Sequence, residues 1–273
     1  MEAAAIRIVH FMRKTFVAIA IAVSASLSGT TLAHASVVLS DDFTRSNGTN
    51  ISGTAPGVVD VPGGSYWVNP YWSNSVQNNT LQLQADLSAI VTLGSYANSV
   101  LSFTTSLSLG NLSGSGGNRG VGIGLNSAAH GNSDSFSGLR LDPTGALTLM
   151  SNFTQHASVT AFGAGFDESI FHTLSYSVDT ATGAVSNIQL SGSTADFSAL
   201  VTASQAANYF TGYGYASLQA GGKDGGEFGY FDSFQVSSSI NVAEPASLAL
   251  FGVGLFGLGL GRRQLSRRLT VTS

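Results

Sequence analysis

The carboxylates of this chain are the side chains whose spacing could support hydrolysis. Glycoside hydrolysis needs two of them converging on one bond, about 5 to 9.5 Å apart. Asp167 and Glu168 are adjacent, and Glu227 and Asp232 are five positions apart, so each pair points to opposite faces of a regular strand. The pairs Asp41–Asp42 and Asp167–Glu168 are instead interpreted as solvated or turn-forming. With no Cys and no Gly-x-Ser-x-Gly turn, the sequence predicts no catalytic residues and a protein that is not an enzyme.

Metal ligands are equally sparse. The three histidines of the central region, His130, His156 and His172, lack the close spacing of a zinc site. Calcium suits an acidic, Asn-rich chain better, because it prefers hard oxygen ligands. The candidate ligands are Asp134 with Asn132, and Asp224 with Glu227. Neither pair matches an EF-hand or a repeat, so we predict no metal and no cofactor, with a structural Ca²⁺ as the open alternative.

An aromatic cluster gives the best indication of binding. Tyr66, Trp67, Tyr71 and Trp72 fall within seven positions, with Asn69 and Pro70 between them. Exposed rings with amide neighbours stack on sugars, so Tyr71 and Trp72 are the candidate glycan platform. Trp67 itself is predicted to fill the core, and the alternative for Tyr71 and Trp72 is that they cap its open end.

Composition narrows the class of partner and the means of stabilisation. Residues 36–240 carry only four basic side chains, those of Arg45, Arg119, Arg140 and Lys223, which are outnumbered by carboxylates. Nucleic acid is therefore excluded as a partner, because its binding needs clustered cations. Without Cys, an exported domain must be stabilised by core burial alone.

Short strands at regular spacing fill this central region. The predicted strands are Val37–Phe43, Thr80–Ala85, Val100–Leu109, Val121–Leu125, Phe136–Leu141, Ala146–Ser151, Phe171–Val178, Val185–Leu190, Tyr213–Gln219 and Phe228–Val236. Asp142–Gly145 and Asp179–Gly183 carry turn residues and predict two hairpins. One short helix is expected within Asp196–Tyr209. The pattern predicts an all-β protein, a two-sheet antiparallel β-sandwich of the jelly-roll type.

The N-terminal segment has the order of a secretory signal peptide. Arg13 and Lys14 precede an apolar run, and Ala33 and Ala35 are the small residues that a signal peptidase recognises. Residues 1–35 are therefore predicted to form a signal peptide helix that is removed after Ala35. A retained transmembrane anchor is the alternative.

The C-terminal segment, residues 241–273, combines three features. Pro245 interrupts regular structure, and the 16 residues from Ala246 to Gly261 are apolar except for Ser247. A comfortable membrane span needs about 20 residues. An arginine cluster, Arg262, Arg263, Arg267 and Arg268, then favours the cytoplasmic side of the inner membrane. The segment is predicted to be a short hydrophobic helix inserted transiently; a plain anchor or a buried core helix is the alternative.

This tail resembles the PEP-CTERM sorting signal. Glu244 and Pro245 match the motif, Leu248–Leu260 the apolar span, and the four arginines the stop; Ala243 stands where the usual first proline would be. The resemblance implies processing at Glu244–Pro245 by exosortase, a membrane transpeptidase, after signal peptidase has acted at the other end. It places the product at the cell surface or in the extracellular matrix.

Residues 36–240 resemble the concanavalin A-like (laminin-G-like) sandwiches. The residues that carry the resemblance are Asp42–Phe43, Asn47–Thr49, Ser52–Pro56, Trp67, Gly138–Asp142, His172–Asp179 and Tyr230–Phe234. It implies a surface that faces carbohydrate or protein, with the first and last strands paired. The Glu-x-Asp-x-x-Glu string of the hydrolases of this fold is absent. We therefore predict a non-catalytic protein of a Gram-negative extracellular matrix or biofilm, which could meet extracellular polysaccharide. The alternative is a carbohydrate-binding lectin or a glycan-active enzyme.

Overall fold

The fold is known from a computed structural model, which describes residues 34–61, 65–68, 74–84, 87–94, 96, 99–112, 119–127, 135–207, 214–222 and 227–240. Residues Ala35–Ile240 form one compact unit. The two predicted terminal helices lie outside the described residues. In the part that is described, no helix is both long enough and apolar enough to span a bilayer. The processing bounds at residues 35 and 241 stay predictions.

Fifteen strands and one helix make up the described chain. In order they are β1 (His34–Asp41), β2 (Val58–Val59), β3 (Trp67–Val68), β4 (Ser75–Gln77), β5 (Thr80–Gln84), β6 (Leu87–Thr92), β7 (Val100–Ser108), β8 (Gly120–Asn126), β9 (Phe136–Leu141), β10 (Ala146–Ser151), β11 (Thr154–Thr160), β12 (His172–Asp179), β13 (Val185–Leu190), α1 (Ser198–Ala207), β14 (Tyr215–Gly221) and β15 (Phe228–Ile240).

The strands form two antiparallel sheets, which confirms the predicted all-β two-sheet sandwich. Sheet 1 has eight strands, in the order β13-β12-β7-β15-β1-β2, with β5 also paired to β15 and β4 to β5. Sheet 2 has seven strands, in the order β11-β10-β9-β8-β14-β6-β3. The last strand, β15, lies beside the first, β1, as the resemblance implied. Helix α1 contacts β10, β11 and β13, so it closes one edge of the sandwich.

Ten of the described strands were predicted from the sequence, with bounds of differing accuracy. Three predicted strands, now β9, β10 and β13, match residue for residue. The first predicted strand, Val37–Phe43, was placed too far along the chain. Phe43 has φ 52°, outside the β region, so β1 ends at Asp41. The last predicted strand, Phe228–Val236, was too short, because β15 continues to Ile240.

Five strands were missed, namely β2, β3, β4, β6 and β11. β6 was missed because five of its six residues are buried, so its two faces do not alternate. β11 was missed because it is mostly exposed and its sequence is typical of a polar loop. The hairpin between β4 and β5 turns at Asn78 and Asn79, both at positive φ, a turn chemistry that the prediction overlooked.

Both predicted hairpin turns and the short helix are confirmed. The Gly145 N–H donates to the Asp142 carbonyl over 2.9 Å, with Gly145 at φ 78°. The Gly183 N–H donates to the Asp179 carbonyl over 2.7 Å, with φ 73°. Positive φ at these turn ends is what glycine tolerates at no steric cost.

The core between the sheets contains one inter-sheet hydrogen bond from a tyrosine. Tyr176 of β12 is 1% exposed, and its phenol donates to the Ile123 carbonyl of β8 over 2.7 Å. Its ring stacks on Phe103 of β7 at 5.4 Å between centroids. Burial raises the pKa of the Tyr176 phenol far above its ordinary value, because the charged form would lose its hydration.

A buried carboxylate organises the opposite part of the sandwich. Asp41 accepts hydrogen bonds from the Phe43 N–H (2.9 Å), from both Arg45 Nη atoms (2.8 and 2.7 Å) and from the Trp67 indole (2.6 Å). The indole fills the core, as predicted for Trp67, against Phe43 and Phe234. Asp41 is only 4% exposed and so is not solvated, but its bond to the Phe43 N–H two residues on is turn-forming, as the sequence also predicted; Asp42 is exposed.

Replacing Tyr176 by Phe should cost about 1 kcal/mol of unfolding free energy at neutral pH, through loss of the bond to Ile123. Above pH 10.0, the ordinary pKa of tyrosine, the unfolded chain releases this proton while the folded chain keeps it, so wild-type stability falls. The Phe variant lacks that loss, and the stability gap should narrow. Urea unfolding across this pH range measures it; a gap that stayed constant would contradict the assignment.

Asp41→Asn should lower the unfolding free energy by about 3 kcal/mol, because an amide cannot accept from three donors and the partly buried Arg45 guanidinium loses its carboxylate partner. Asp42→Asn is the matched control, since its exposed side chain accepts from Thr44 and an amide oxygen can do the same. Denaturant unfolding should separate the two variants. If the two variants were equally stable, the hydrogen bonds of Asp41 between the sheets would not contribute to the unfolding free energy.

Candidate functional site

Sheet 2 differs from sheet 1 because its outer face, the one turned away from sheet 1, is also buried. The inner face contributes Ile123, Leu139 and Leu218 to the core cluster. On the outer face Ile90, Phe136 and Met150 are 0% exposed, yet they are not part of that cluster. A sheet whose strands are buried on both sides loses the apolar–polar alternation, and here the second side carries polar groups.

Glycines form the floor of this outer face. Gly122 and Gly124 of β8 lie beside Gly138 of β9, with Gly124 and Gly138 directly paired. A Cβ added at Gly122 or Gly138 would lie 3.0 or 2.8 Å from Cζ of Phe136. The Phe136 ring therefore rests directly on the backbone of these strands, which only glycine permits.

A row of polar side chains crosses the same face beside the glycine floor. The register pairs Ser88 with Gln219, Gln219 with Gly122, Gly122 with Arg140, Arg140 with Thr148, and Thr148 with Ser158. The Thr148 and Ser158 hydroxyls lie 3.2 Å apart. Because strand spacing is about 4.8 Å, these groups form one line from β6 to β11.

Arg140 is the cation of this row. It is 2% exposed, and burial lowers its pKa to about 10, with Asp142 opposing the shift. The guanidinium thus remains charged at neutral pH. Its Cζ lies 5.9 Å from the centre of the Phe153 ring, within cation–π range. A charge in such a low-dielectric place attracts oxygen atoms strongly.

Gln219 is the second long polar side chain of the row. It is 0% exposed, and neither its amide nitrogen nor its amide oxygen has a hydrogen-bond partner in the described structure. One such buried amide costs about 1 to 3 kcal/mol. It offers donors and an acceptor, the pairing that recognises a hydroxyl group.

The strands of sheet 2 contribute no carboxylate that could act as an acid or a base. As the structure describes them, these seven strands contain neither Asp nor Glu. Two carboxylates elsewhere sit in turns: Asp167 accepts from Ser169 and Asp196 from Ser198, and these bonds lower the pKa of both. Asp232 is exposed at a register shift between Phe231 and Ser233 of β15.

Many of the residues singled out from sequence lie outside the described residues, so their roles stay predictions. These are Tyr71 and Trp72, Asn132 and Asp134, Asp224, His130, Ala33, Glu244, Pro245, Arg262, Arg263, Arg267 and Arg268. Ala35 is described, as an exposed residue of β1.

Glu227 and two histidines are described. Glu227 pairs with Arg119 at 3.2 Å, so its carboxylate neutralises a cation. His172 packs against the rings of Phe162 (4.6 Å) and Phe166 (5.5 Å), and its Nδ1 lies 3.1 Å from the Ser191 carbonyl. His156 is exposed on β11. Within the described ranges, no group of three His, Cys, Asp or Glu side chains is placed to hold a metal.

Sequence reasoning missed the outer face of sheet 2 altogether. Its signal was the alternation of glycine with apolar residues in Gly120–Leu125, followed by Gly138 and Arg140 in the next strand. Alternating glycine marks a face where something approaches the backbone closely, here the ring of Phe136.

Solved structures of similar fold include two lectins and a hydrolase. Lectin I-B4 of Griffonia simplicifolia, in its metal-free form, has 10% identity and a TM-score of 0.45 over 66% of this chain and 95% of that chain. Peanut lectin with a 9mer peptide has 11% identity and a TM-score of 0.42, over 76% and 98%. An endo-1,3-beta-glucanase from Streptomyces sioyaensis has 17% identity and a TM-score of 0.43, over 75% and 96%. At these identities the similarity concerns the fold alone.

The tail gives the more specific result. No curated protein matches the sequence. Residues 241–268, however, match the PEP-CTERM protein-sorting motif, a range that includes Glu244, Pro245 and all four arginines of the cluster. The predicted sorting signal is thereby confirmed, and such a motif implies processing by exosortase. This chain carries a PEP-CTERM protein-sorting motif directly after its last strand.

Proposed function

We propose that this chain is a non-catalytic secreted or surface protein of a Gram-negative extracellular matrix or biofilm. Export begins at the N-terminal signal, signal peptidase cuts after Ala35, and exosortase processes the tail at Glu244–Pro245. The match of residues 241–268 to the sorting motif is the observation that carries this proposal.

Two structural features support a role without catalysis. The strands of sheet 2 contain no Asp or Glu in the described structure, whereas glycoside hydrolysis needs two carboxylates. The sandwich, which has no Cys, is joined internally by buried bonds such as those of Asp41 and Tyr176. Such a domain suits a passive role outside the cell.

Expressed in a host that contains exosortase, the protein should lose both ends. Intact-mass measurement should find Ser36 at the N-terminus and no residues from the apolar span onward. Pro245→Ala should retain the tail, because the motif is altered at its processing site. Pro143→Ala, in the turn between β9 and β10, is the matched control and should be processed normally. A wild-type mass that extends to Ser273 would contradict the proposal.

Carbohydrate binding is a second candidate function, favoured by the buried amide of Gln219 on the outer face of sheet 2. Together with the Arg140 guanidinium and the Phe136 ring, it offers hydrogen bonds and an apolar surface, the combination that sugars require. Both polar groups are buried, Gln219 at 0% and Arg140 at 2% exposure.

The variant Gln219→Leu distinguishes carbohydrate binding on the outer face of sheet 2 from a purely structural role of Gln219. Removing an amide without partners should raise the unfolding free energy by about 1 kcal/mol, while any glycan binding on a glycan array should be lost. Gln235→Leu is the control, because Gln235 is exposed on β15. Binding lost on Trp72→Ala but kept in Gln219→Leu would place the glycan at the Tyr71–Trp72 platform instead. If the protein hydrolysed a glycan and an Asp or Glu substitution abolished that hydrolysis, both proposed functions would be contradicted.

A further inference from the structure

The strand that leads to the sorting motif is held on both sides. β15 lies between β7 and β1 in sheet 1. Its pairing with β7 continues almost to its end, with Ser237 opposite Ser102, Ser238 opposite Leu101 and Ser239 opposite Val100. The β7 edge of these last residues is therefore occupied in the folded protein, so it cannot add to a strand of another protein.

The spacer between this strand and the processing site is very short. β15 ends at Ile240, and only residues 241–243 precede Glu244. Four residues from Ile240 to Glu244, fully extended, span at most about 14 Å. An enzyme acting at Glu244–Pro245 must therefore approach to within this distance of the folded sandwich.

Side-chain hydrogen bonds stabilise the end of the sandwich at which β15 terminates. The Thr180 hydroxyl lies at hydrogen-bonding distance from the Tyr96 and Ser99 carbonyls, and it accepts the Ser99 N–H at 3.0 Å. These contacts join the start of β7 to the turn that follows β12. The start of β7, which pairs with the end of β15, is thus held in place by side-chain hydrogen bonds.

We infer that the folded sandwich regulates its own processing, because the last residues of β15 must separate from β7 before exosortase can act at Glu244–Pro245. The inference rests on the proposed function, since it requires processing at Glu244–Pro245.

Ser238 is the residue at which the end of β15 is weakest. It is 1% exposed and faces inward, opposite Leu101, and its hydroxyl has no hydrogen-bond partner in the described structure. A buried hydroxyl without a partner destabilises the paired state. Opening of a strand end is a local event whose frequency depends on such contacts. Ser238 therefore favours separation of the strand end from β7.

Two variants of the full-length chain test the inference in opposite directions. Insertion of a flexible Gly-Ser linker of about six residues between Ile240 and Asn241 leaves the matched motif intact and should raise the processing rate about fivefold or more. Ser238→Ala should lower that rate by about the same factor, because it removes the unpaired hydroxyl. Pulse-chase labelling in cells that contain exosortase, with mass spectrometry of the product, measures both.

The controls repeat each change elsewhere. The same linker placed between Gly163 and Ala164, in an exposed loop, should leave the rate unchanged, as should Ser237→Ala, whose side chain is less buried than that of Ser238. Equal rates for wild type, the Ile240 linker and Ser238→Ala would overturn the inference and leave the proposed sorting intact. No cleavage in any variant would instead refute the proposed function, and the inference with it.

Discussion

The carboxylate of Asp41 is the interaction on which one whole side of the sandwich depends. It accepts from the backbone of Phe43, from the guanidinium of Arg45 and from the indole of Trp67. Asp41 belongs to sheet 1 and Trp67 to sheet 2, so a single anion connects the two layers. In a chain without disulfides, this connection replaces covalent cross-linking.

The consequences of this contact reach the other end of the sequence. Trp67 packs edge-on against Phe234 of β15, at 5.4 Å between centroids. The same carboxylate holds Phe43 at φ 52°, a conformation that a bulky residue adopts only under such constraint. Core packing thus couples the first strand to the last, and β15 passes directly into the sorting motif. The packing of the sandwich core and the short spacer before the sorting motif therefore meet at the same strand, β15.

Sequence predicted the features that depend on local pattern. β7 alternates buried and half-buried residues along most of its length, and the Asp142 and Asp179 turns carry their own signals. The tail could be recognised because its order of proline, apolar run and arginines follows membrane physics.

What the sequence could not show depends on tertiary contacts. Besides its apolar residues, the outer face of sheet 2 carries Gly, Ser and Thr with two long polar residues, a composition that ordinarily indicates solvent. Asp41 and Asp42 are neighbours of the same type, and only the distant Trp67 distinguishes the buried one from the exposed one. Phe153 at φ 59° occupies a hairpin turn that propensity assigns to Asn or Gly.

The electrostatics of the outer face support the proposed recognition of a ligand rather than bond cleavage. Hydrolysis by paired carboxylates needs one of them protonated at neutral pH, which requires a raised pKa. The buried guanidinium of Arg140 acts in the opposite direction, because a nearby cation favours the ionised form of a carboxyl group. A carboxylate introduced beside it would pair with it and fail as a general acid. Hydroxyl or carboxylate oxygens of a ligand, by contrast, would gain from the same charge and from the amide of Gln219.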